Sequence, residues 1–406
     1  MFKRFFAALV VFLSFPSFLF ADYKLYDAIQ EFGEKRYVQT APAHLKTGPV
    51  RIHPVIENKV TYDSNILQQD QDAREDVVFN VRPGAIIELP INKHQLAVGY
   101  QADFEIFSKR KNGNQKHQNQ NFFALADFNF PSWYVNVLEE LAETSSRSGT
   151  TFTERIPRID QMINPKAGYK WKRFTFESGF RNFQRHFRRQ IDRPFSFQDT
   201  GVNGVIFYDL FANLKALMDY QWNQLDYDDG VNRNATINQV RIGLEGEVFR
   251  NVVVKARLGT QFRNYRASSE PDFYSWVGNL SLEYRARPNL TFKFFILREP
   301  AEATFADVNY YKDHSVGGGF EYLFRPRWPV FSNLRLSRHT YAERATVGDV
   351  TAYRRDLPIS VRSGIRYLLN DYLQFEAAYE YLHRNSNFST LGYNDHLVSL
   401  SSQLAY

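Results

Sequence analysis

Asp395-His396-Leu397-Val398-Ser399-Leu400-Ser401-Ser402-Gln403-Leu404-Ala405-Tyr406, the last stretch of the chain, decides how the rest is read. From His396 onward every second residue (Val398, Leu400, Leu404, Tyr406) is apolar except Ser402, while Ser399, Ser401, Gln403 and Ala405 between them are polar or small. A period of two is that of a strand, whose side chains alternate between faces. A strand with one greasy and one wet face can stand between lipid and water only if neighbours take up both backbone edges, because unpaired peptide groups are costly in hydrocarbon. The stretch therefore predicts an all-β fold, a transmembrane antiparallel up-and-down β-barrel that this strand closes.

The opposite end agrees. Residues 1–21 carry Lys3 and Arg4, an apolar run from Phe5 to Phe15, Pro16, and the small Ala21 before Asp22. That is the pattern of a cleaved secretory signal peptide, with an apolar part too short to span a bilayer as a helix; Leu19 makes the cleavage site less regular than the signal. No other segment approaches 18 uninterrupted apolar residues. Of the 406 residues 16% are aromatic and none is Cys. A soluble β-domain of this polarity does not need so many rings, whereas a bacterial outer-membrane barrel wears aromatic girdles at both interfaces. Disulfide and thiolate chemistry are excluded, and a formal charge of +6 is small for this length and gives no footprint for nucleic acid.

Residues 22–49 read as a short periplasmic leader. Leu25, Ile29 and Phe32 fall at helical spacing, Gly33 sits near the end, and Pro42 and Pro49 stop the helix. The leader either frays or rests against the barrel mouth, or it is a docking helix for a periplasmic partner or a partial plug. From residue 50 to 406 segments of about a dozen residues alternate between short and long connections, as in barrels with tight periplasmic turns and longer outer loops. The short turns are centred on Asn92, Pro131, Lys172, Asn213, Asn251, Pro288, Pro326 and Asn370, where Pro fixes one turn dihedral and Asn tolerates the left-handed one. The long connections span residues 68–75, 109–118, 145–158, 188–194, 226–234, 267–272, 301–307, 344–350 and 385–394. The grammar predicts about 18 strands, within a range of 16–18, and places both ends on the periplasmic side. The segment from Trp133 to Ser145 alternates poorly and places Glu139 and Glu140 awkwardly.

Lys or Arg on the lipid face costs about 2–4 kcal/mol at mid-bilayer, so a basic face must look into the lumen. This test turns Val252, Val254, Ala256, Leu258 and Phe262 outward against Lys255, Arg257, Gln261 and Arg263. It likewise turns Val98, Tyr100, Phe104 and Ile106 outward against Gln101, Asp103 and Glu105, and Phe375 and Tyr379 outward against Glu376 and Glu380. Trp133, Trp171, Phe174, Phe249, Tyr284, Phe324, Trp328, Tyr367 and Tyr372 form the expected turn-side girdle. Tyr62, Phe107, Trp222, Tyr265, Tyr274, Trp276, Tyr310, Tyr341 and Tyr393 form the loop-side one. On the inner wall Lys255 and Arg257 are expected to pair with Glu245, Glu247 and Glu283 at similar depth. Arg241, Arg263, Arg335, Arg362 and Arg366 show no acidic partner at matching depth in the sequence. They are the candidates for an anionic or hydroxyl-rich solute, since a guanidinium donates two parallel hydrogen bonds.

Thr61-Tyr62-Asp63-Ser64-Asn65-Ile66, followed by Val81-Arg82-Pro83-Gly84, resembles the opening of the putative β-barrel porin 2 family. The resemblance implies an outer-membrane barrel and a part in exopolysaccharide export, without catalytic residues or cofactors. It also implies a periplasmic polysaccharide-export partner. On their own, Asp63, Ser64 and Asn65 are turn formers at a strand end. The terminal strand ending in Tyr406 is similar to the signal by which the barrel-assembly machinery recognises outer-membrane barrels. The rival reading is a structural or partner-docking barrel with a plugged lumen. A third is a lipid-modifying enzyme using His314 with Ser315, His339 with Ser337, or His396 with Ser399 or Ser401, none of which sits in a nucleophile motif. The nine His are scattered, and Asp226, Asp228 and Asp229 read as a solvated loop tip, so no metal site is expected.

Overall fold

The computed structural model describes residues 45–109, 116–145, 155–228, 233–267, 271–303 and 308–406. The expected signal peptide, and the leader apart from its last residues, lie outside the described residues. The strands are β1 (Leu45–Thr47), β2 (Val50–Asp63), β3 (Asp76–Ile91), β4 (His94–Phe107), β5 (Lys116–Asn129), β6 (Trp133–Thr144), β7 (Arg158–Trp171), β8 (Phe174–Phe187), β9 (Phe197–Phe211) and β10 (Leu214–Tyr227). They continue as β11 (Ala235–Phe249), β12 (Val252–Tyr265), β13 (Phe273–Arg287), β14 (Leu290–Glu302), β15 (Tyr310–Arg325), β16 (Trp328–Val347), β17 (Val350–Leu368), β18 (Leu373–Ser386) and β19 (Tyr393–Ala405). From β2 onward each strand pairs antiparallel with the next. The terminal strand then returns to the first long one, from Leu397↔Asp63 to Ala405↔Val55, closing an 18-stranded barrel. β1 stands outside this circuit and folds back on β2 through Gly48, at φ 61°. The last leader residues are thus already a strand, where the sequence reading began the barrel at residue 50.

The barrel strands run from 12 to 20 residues, more than the roughly 9–11 that a tilted strand needs to cross a bilayer, so they project beyond it. The tight turns fall at the expected places, and Asn92, Lys172, Asn251 and Arg327 take positive φ there. One expected loop is corrected. Residues 344–350 form no irregular connection, because β16 and β17 stay paired to Val347↔Val350 and turn at Gly348, at φ 60°. Ala345, Val347 and Ala352 hold that extension by packing with Val308, Tyr311, Tyr341 and Phe388.

Facing follows the sequence argument. Leu258 and Phe262 lie on the outer surface at 58% and 48% exposure, whereas Arg263 on the opposite face is 2% exposed. Val98, Tyr100, Phe104, Ile106, Phe375 and Tyr379 are also exposed on the outside. The turn-side girdle is present: Trp133, Trp171, Phe249, Tyr284, Phe324 and Trp328 are exposed, Trp328 lies against Tyr367, and Tyr372 lies against Tyr406. The loop-side girdle needs correction. Tyr62, Tyr274 and Trp276 are exposed, but Phe107, Tyr310 and Tyr341 are buried, because they fall on the inward parity or under packed loops. In β6 the poor alternation has a cause. Leu138, Met162 and Phe183 make an apolar cluster on the inward parity, while Glu139, opposite Ala124 and Ile163 on the outward parity, accepts a hydrogen bond from Gln161.

Candidate functional site

The inner wall is the only surface of such a barrel able to meet a solute in transit, so its charges decide what passes. A guanidinium there has lost part of its hydration to the wall, and it needs a counter-charge or acceptors in return. Each of the five arginines that looked unpartnered in the sequence has a carboxylate. Arg241 Nε lies 2.8 Å from Asp219 Oδ1, and Arg263 Nη1 lies 2.7 Å from Glu302 Oε1. Arg335 Nη2 is 3.3 Å from Asp313 Oδ2, and Glu376 takes both Arg366, at 2.6 Å, and Arg362. The expectation of unpartnered arginines is therefore corrected. Register shows how the pairs form: Asp219↔Arg241 and Arg366↔Glu376 are bonded cross-strand partners, Arg362 stands opposite Glu380 but bonds Glu376, Arg335 stands opposite Gly317 and reaches along β15 to Asp313, and Arg263 reaches past β13 to β14.

The second group is placed differently from the expected ladder. Lys255 approaches Glu245 at 3.9 Å, and Arg257 lies 3.7 Å from both Glu245 and Asp219. Glu283 instead accepts from Arg285, and Glu247 accepts from Asn213 and from the Asn251 backbone at the turn. Similar compensated pairs line the rest of the wall. Arg82 holds Glu57 at 3.2 Å and Asp103 at 3.1 Å, and Arg181 holds Asp199 at 2.9 Å. Several guanidinium groups also lie over inward rings: Arg362 and Arg366 over Phe331, Arg181 and Arg185 over Phe183, Arg263 over Phe273, and Arg335 over Phe295. A ring beneath and a carboxylate beside fix the plane of each guanidinium group.

The loop-side end of the wall is packed. Asp313, Asp356 and Arg354 are 0% exposed, and Tyr227 OH reaches across to Glu302 at 3.0 Å. Arg233 donates to Ala303 O at 2.9 Å and lies over the Phe195 ring, so three connections meet there. The Ser–His candidates are placed apart or in the wrong order. His314 accepts from Arg298 Nε on the outward parity, while Ser315 donates to Asp313 on the inward one. Asp313 also lies 3.4 Å from His339 and Ser315 bonds Ser337, so the carboxylate, and not the imidazole, holds the middle position. His396 bonds Tyr379 OH outside, whereas Ser399 is buried on the other face. Among the described residues no group of three or more His, Asp or Glu could hold a metal ion.

The motif residues of the first barrel strand form the seam. Asp63 Oδ1 accepts from Asn65 N at 2.9 Å, and Ser64 Oγ accepts from His396 N at 2.8 Å and donates to Asp395 at 3.3 Å. Asn65 Nδ2 donates to Gln69 O and to Asn394 O, and its Oδ1 accepts from Gln69 N. These turn formers clamp β2 to β19, and Tyr62 OH donates to Glu75 just outside. Arg82 joins the lumen wall, Pro83 interrupts the pairing of β3 with β4, and a Cβ on Gly84 would meet Tyr100 O at 2.8 Å. Tyr406 N donates to Pro54 O and anchors the other end of the seam.

Residues 163–406 match a family model described as Putative beta-barrel porin 2. The quoted motif of residues 61–66 and 81–84 lies before that span. No curated protein is matched by the sequence. Among solved structures the chain is similar to OpdK of Pseudomonas aeruginosa with vanillate, at 9% identity and a TM-score of 0.49, covering 88% of this chain and 99% of that one. It is also similar to OccAB3 of Acinetobacter baumannii, at 9% identity and a TM-score of 0.48, covering 89% and 100%. A third likeness is the FrpB iron transporter of Neisseria meningitidis, at 10% identity and a TM-score of 0.47, covering 82% and 62%. With its matched residues making up more than half of the sequence, the chain belongs to the family of the Putative beta-barrel porin 2 model, as an outer-membrane, porin-like β-barrel.

Proposed function

We propose that the barrel passes or guides a polar, hydroxyl-rich solute across the outer membrane, with exopolysaccharide as the favoured cargo. The observation that carries this reading is the compensated wall: the lumen arginines that looked free in the sequence each sit beside a carboxylate. Such rows offer many fixed donors and acceptors with little net field, which suits a neutral sugar polymer better than a small ion. The family resemblance points to the same cargo. Liposome swelling with neutral oligosaccharides and with charged solutes of equal size tests the proposal. Neutral solutes are expected to enter at least as fast as charged ones; faster entry of anions, or no swelling with a folded barrel, overturns it.

A second reading has its own support. The buried loop-side layer of Tyr311, Tyr341, Arg354, Asp356 and Phe388 favours a barrel whose outer mouth is closed until a partner or the polymer opens it. Removing residues 22–44 while keeping the barrel then abolishes function without altering conductance.

A further inference from the structure

The outer surface carries charges that the lumen does not use. On β15, β16 and β17, at the loop-side edge of the lipid-facing belt, Lys312, Arg338 and Arg355 gather around Thr340. Lys312 and Arg355 both stand directly opposite Thr340 in register, and Arg338 is two residues before it on the same face. Directly opposite residues lie about 5 Å apart at Cβ, so the three cations share one small patch. Arg338 and Arg355 are exposed, and among the described residues no carboxylate pairs with Lys312, Arg338 or Arg355. The nearest acids in sequence, Asp313 and Asp356, are on the inward parity and are committed to Arg335 and Arg354.

The patch has a built edge. β13 and β14 part after Gly278↔Arg298, and Arg298 fills the notch with its guanidinium 3.8 Å from the centroid of the exposed Trp276 ring. Arg298 also donates to Ser275 Oγ, Trp276 O and His314 Nε2, and His314 stands directly opposite Arg338. Immediately towards the membrane centre the outer face is aliphatic: Ile296, Val316, Leu336 and Leu357 are exposed there. The comparable rim on β8, β9 and β10 is different. Its Asn182, Gln184, Gln198, Thr200 and Gln224 are neutral and hydrogen-bond among themselves or to Asp226.

Like charges crowded at the border of a low-dielectric region repel unless an anion joins them, and here no protein acid does. An anion with an acyl body fits both halves of the surface, its charge on the cations and its chains on the aliphatic residues below. We propose that Lys312, Arg338 and Arg355, flanked by the Arg298–Trp276 pair, form a binding site for the phosphorylated headgroup of a lipid in the loop-side leaflet. The site is independent of what the lumen carries, so it stands or falls apart from the transport reading.

The test uses the full chain, folded in zwitterionic detergent, and native mass spectrometry with a bisphosphorylated glucosamine lipid, the same lipid dephosphorylated, and inorganic phosphate as competitor. The phosphorylated lipid is expected to be retained about tenfold better than the dephosphorylated one, with inorganic phosphate failing to displace it at equal concentration. Arg338→Gln with Arg355→Gln should remove most of that difference, and Arg338→Lys with Arg355→Lys should keep much of it; heat-dependent gel migration verifies that each variant is folded. Equal retention of the two lipids, or unchanged retention by the folded double Gln variant, overturns the proposal.

Discussion

Asn65 closes the barrel at its loop-side seam, and replacing it with Ala measures how much that closure depends on one side chain. The amide makes three hydrogen bonds, to Gln69 O at 2.7 Å, to Asn394 O at 2.9 Å and from Gln69 N at 3.1 Å, in a residue only 1% exposed. Each such bond contributes about 0.5–1.5 kcal/mol net, and a buried partner left unsatisfied costs about 1–3 kcal/mol. Asn65→Ala is therefore expected to destabilise the barrel by about 3 kcal/mol, read as a lower urea midpoint at unchanged slope by Trp fluorescence in lipid vesicles. Asn65→Asp should be worse. It keeps the acceptor but aims a carboxylate at two carbonyls, beside Asp395, whose Oδ1 accepts from Asn65 N at 3.2 Å, and Asp63. An Asn65→Ala change within about 0.5 kcal/mol of wild type, or an Asn65→Asp barrel as stable as wild type, would refute the clamp.

Glu376 neutralises both Arg362 and Arg366, so Glu376→Gln leaves two adjacent guanidinium groups facing the lumen and should move the reversal potential in a salt gradient towards anion selectivity. An unchanged reversal potential in an open pore would remove these residues from the conduction path. Gly259 faces backbone, since an added Cβ would lie 1.8 Å from Val240 O; Gly259→Ala should therefore lower the yield of heat-modifiable folded barrel severalfold, whereas Gly204→Ala, which meets nothing within 4 Å, should not. In the loop before β3, hydrogen bonds from Lys109 and Tyr62 hold the Glu75 carboxyl below the usual carboxylate range. Because the folded value is depressed, this contact is present above the unfolded value and is lost as pH falls through the lower folded one. A carboxyl-carbon NMR titration should show Glu75 titrating low in wild type and returning towards the ordinary range in Lys109→Met.

Much of the fold was legible because a barrel wall imposes one rule on every strand. Period-two alternation, with charges forbidden on the lipid face, was enough to orient β4, β12 and β18 and to approximate the strand number. It failed in β6, where Met162 and Phe183 supply an apolar patch on the inner face and Glu139 takes an outer hydrogen bond from Gln161. It also failed at residues 344–350, since polar residues such as Arg344, Thr346 and Asp349 read as loop although the strands continue there to the turn at Gly348. The wall chemistry was harder to read. Asp219, the partner of Arg241, stands on the preceding strand, β10, and is matched to it only through register. Pairs such as Arg335–Asp313, which are diagonal, or Arg263–Glu302, which skips a strand, appear only once register and twist are known. The role of Asp63, Ser64 and Asn65 was half visible: their turn-forming character was clear, but their grip on Asn394, Asp395 and His396 needed the closed barrel.

Single-channel recording of the refolded chain in a planar bilayer, repeated with neutral polymers of graded size, tests the central claim most directly. A polar path through a charge-compensated wall predicts stable conductance steps, weak ion selectivity, and block by polymers below a definite size. No conductance from a barrel shown by heat-dependent gel migration to be folded would contradict it and turn attention to the packed loop-side layer.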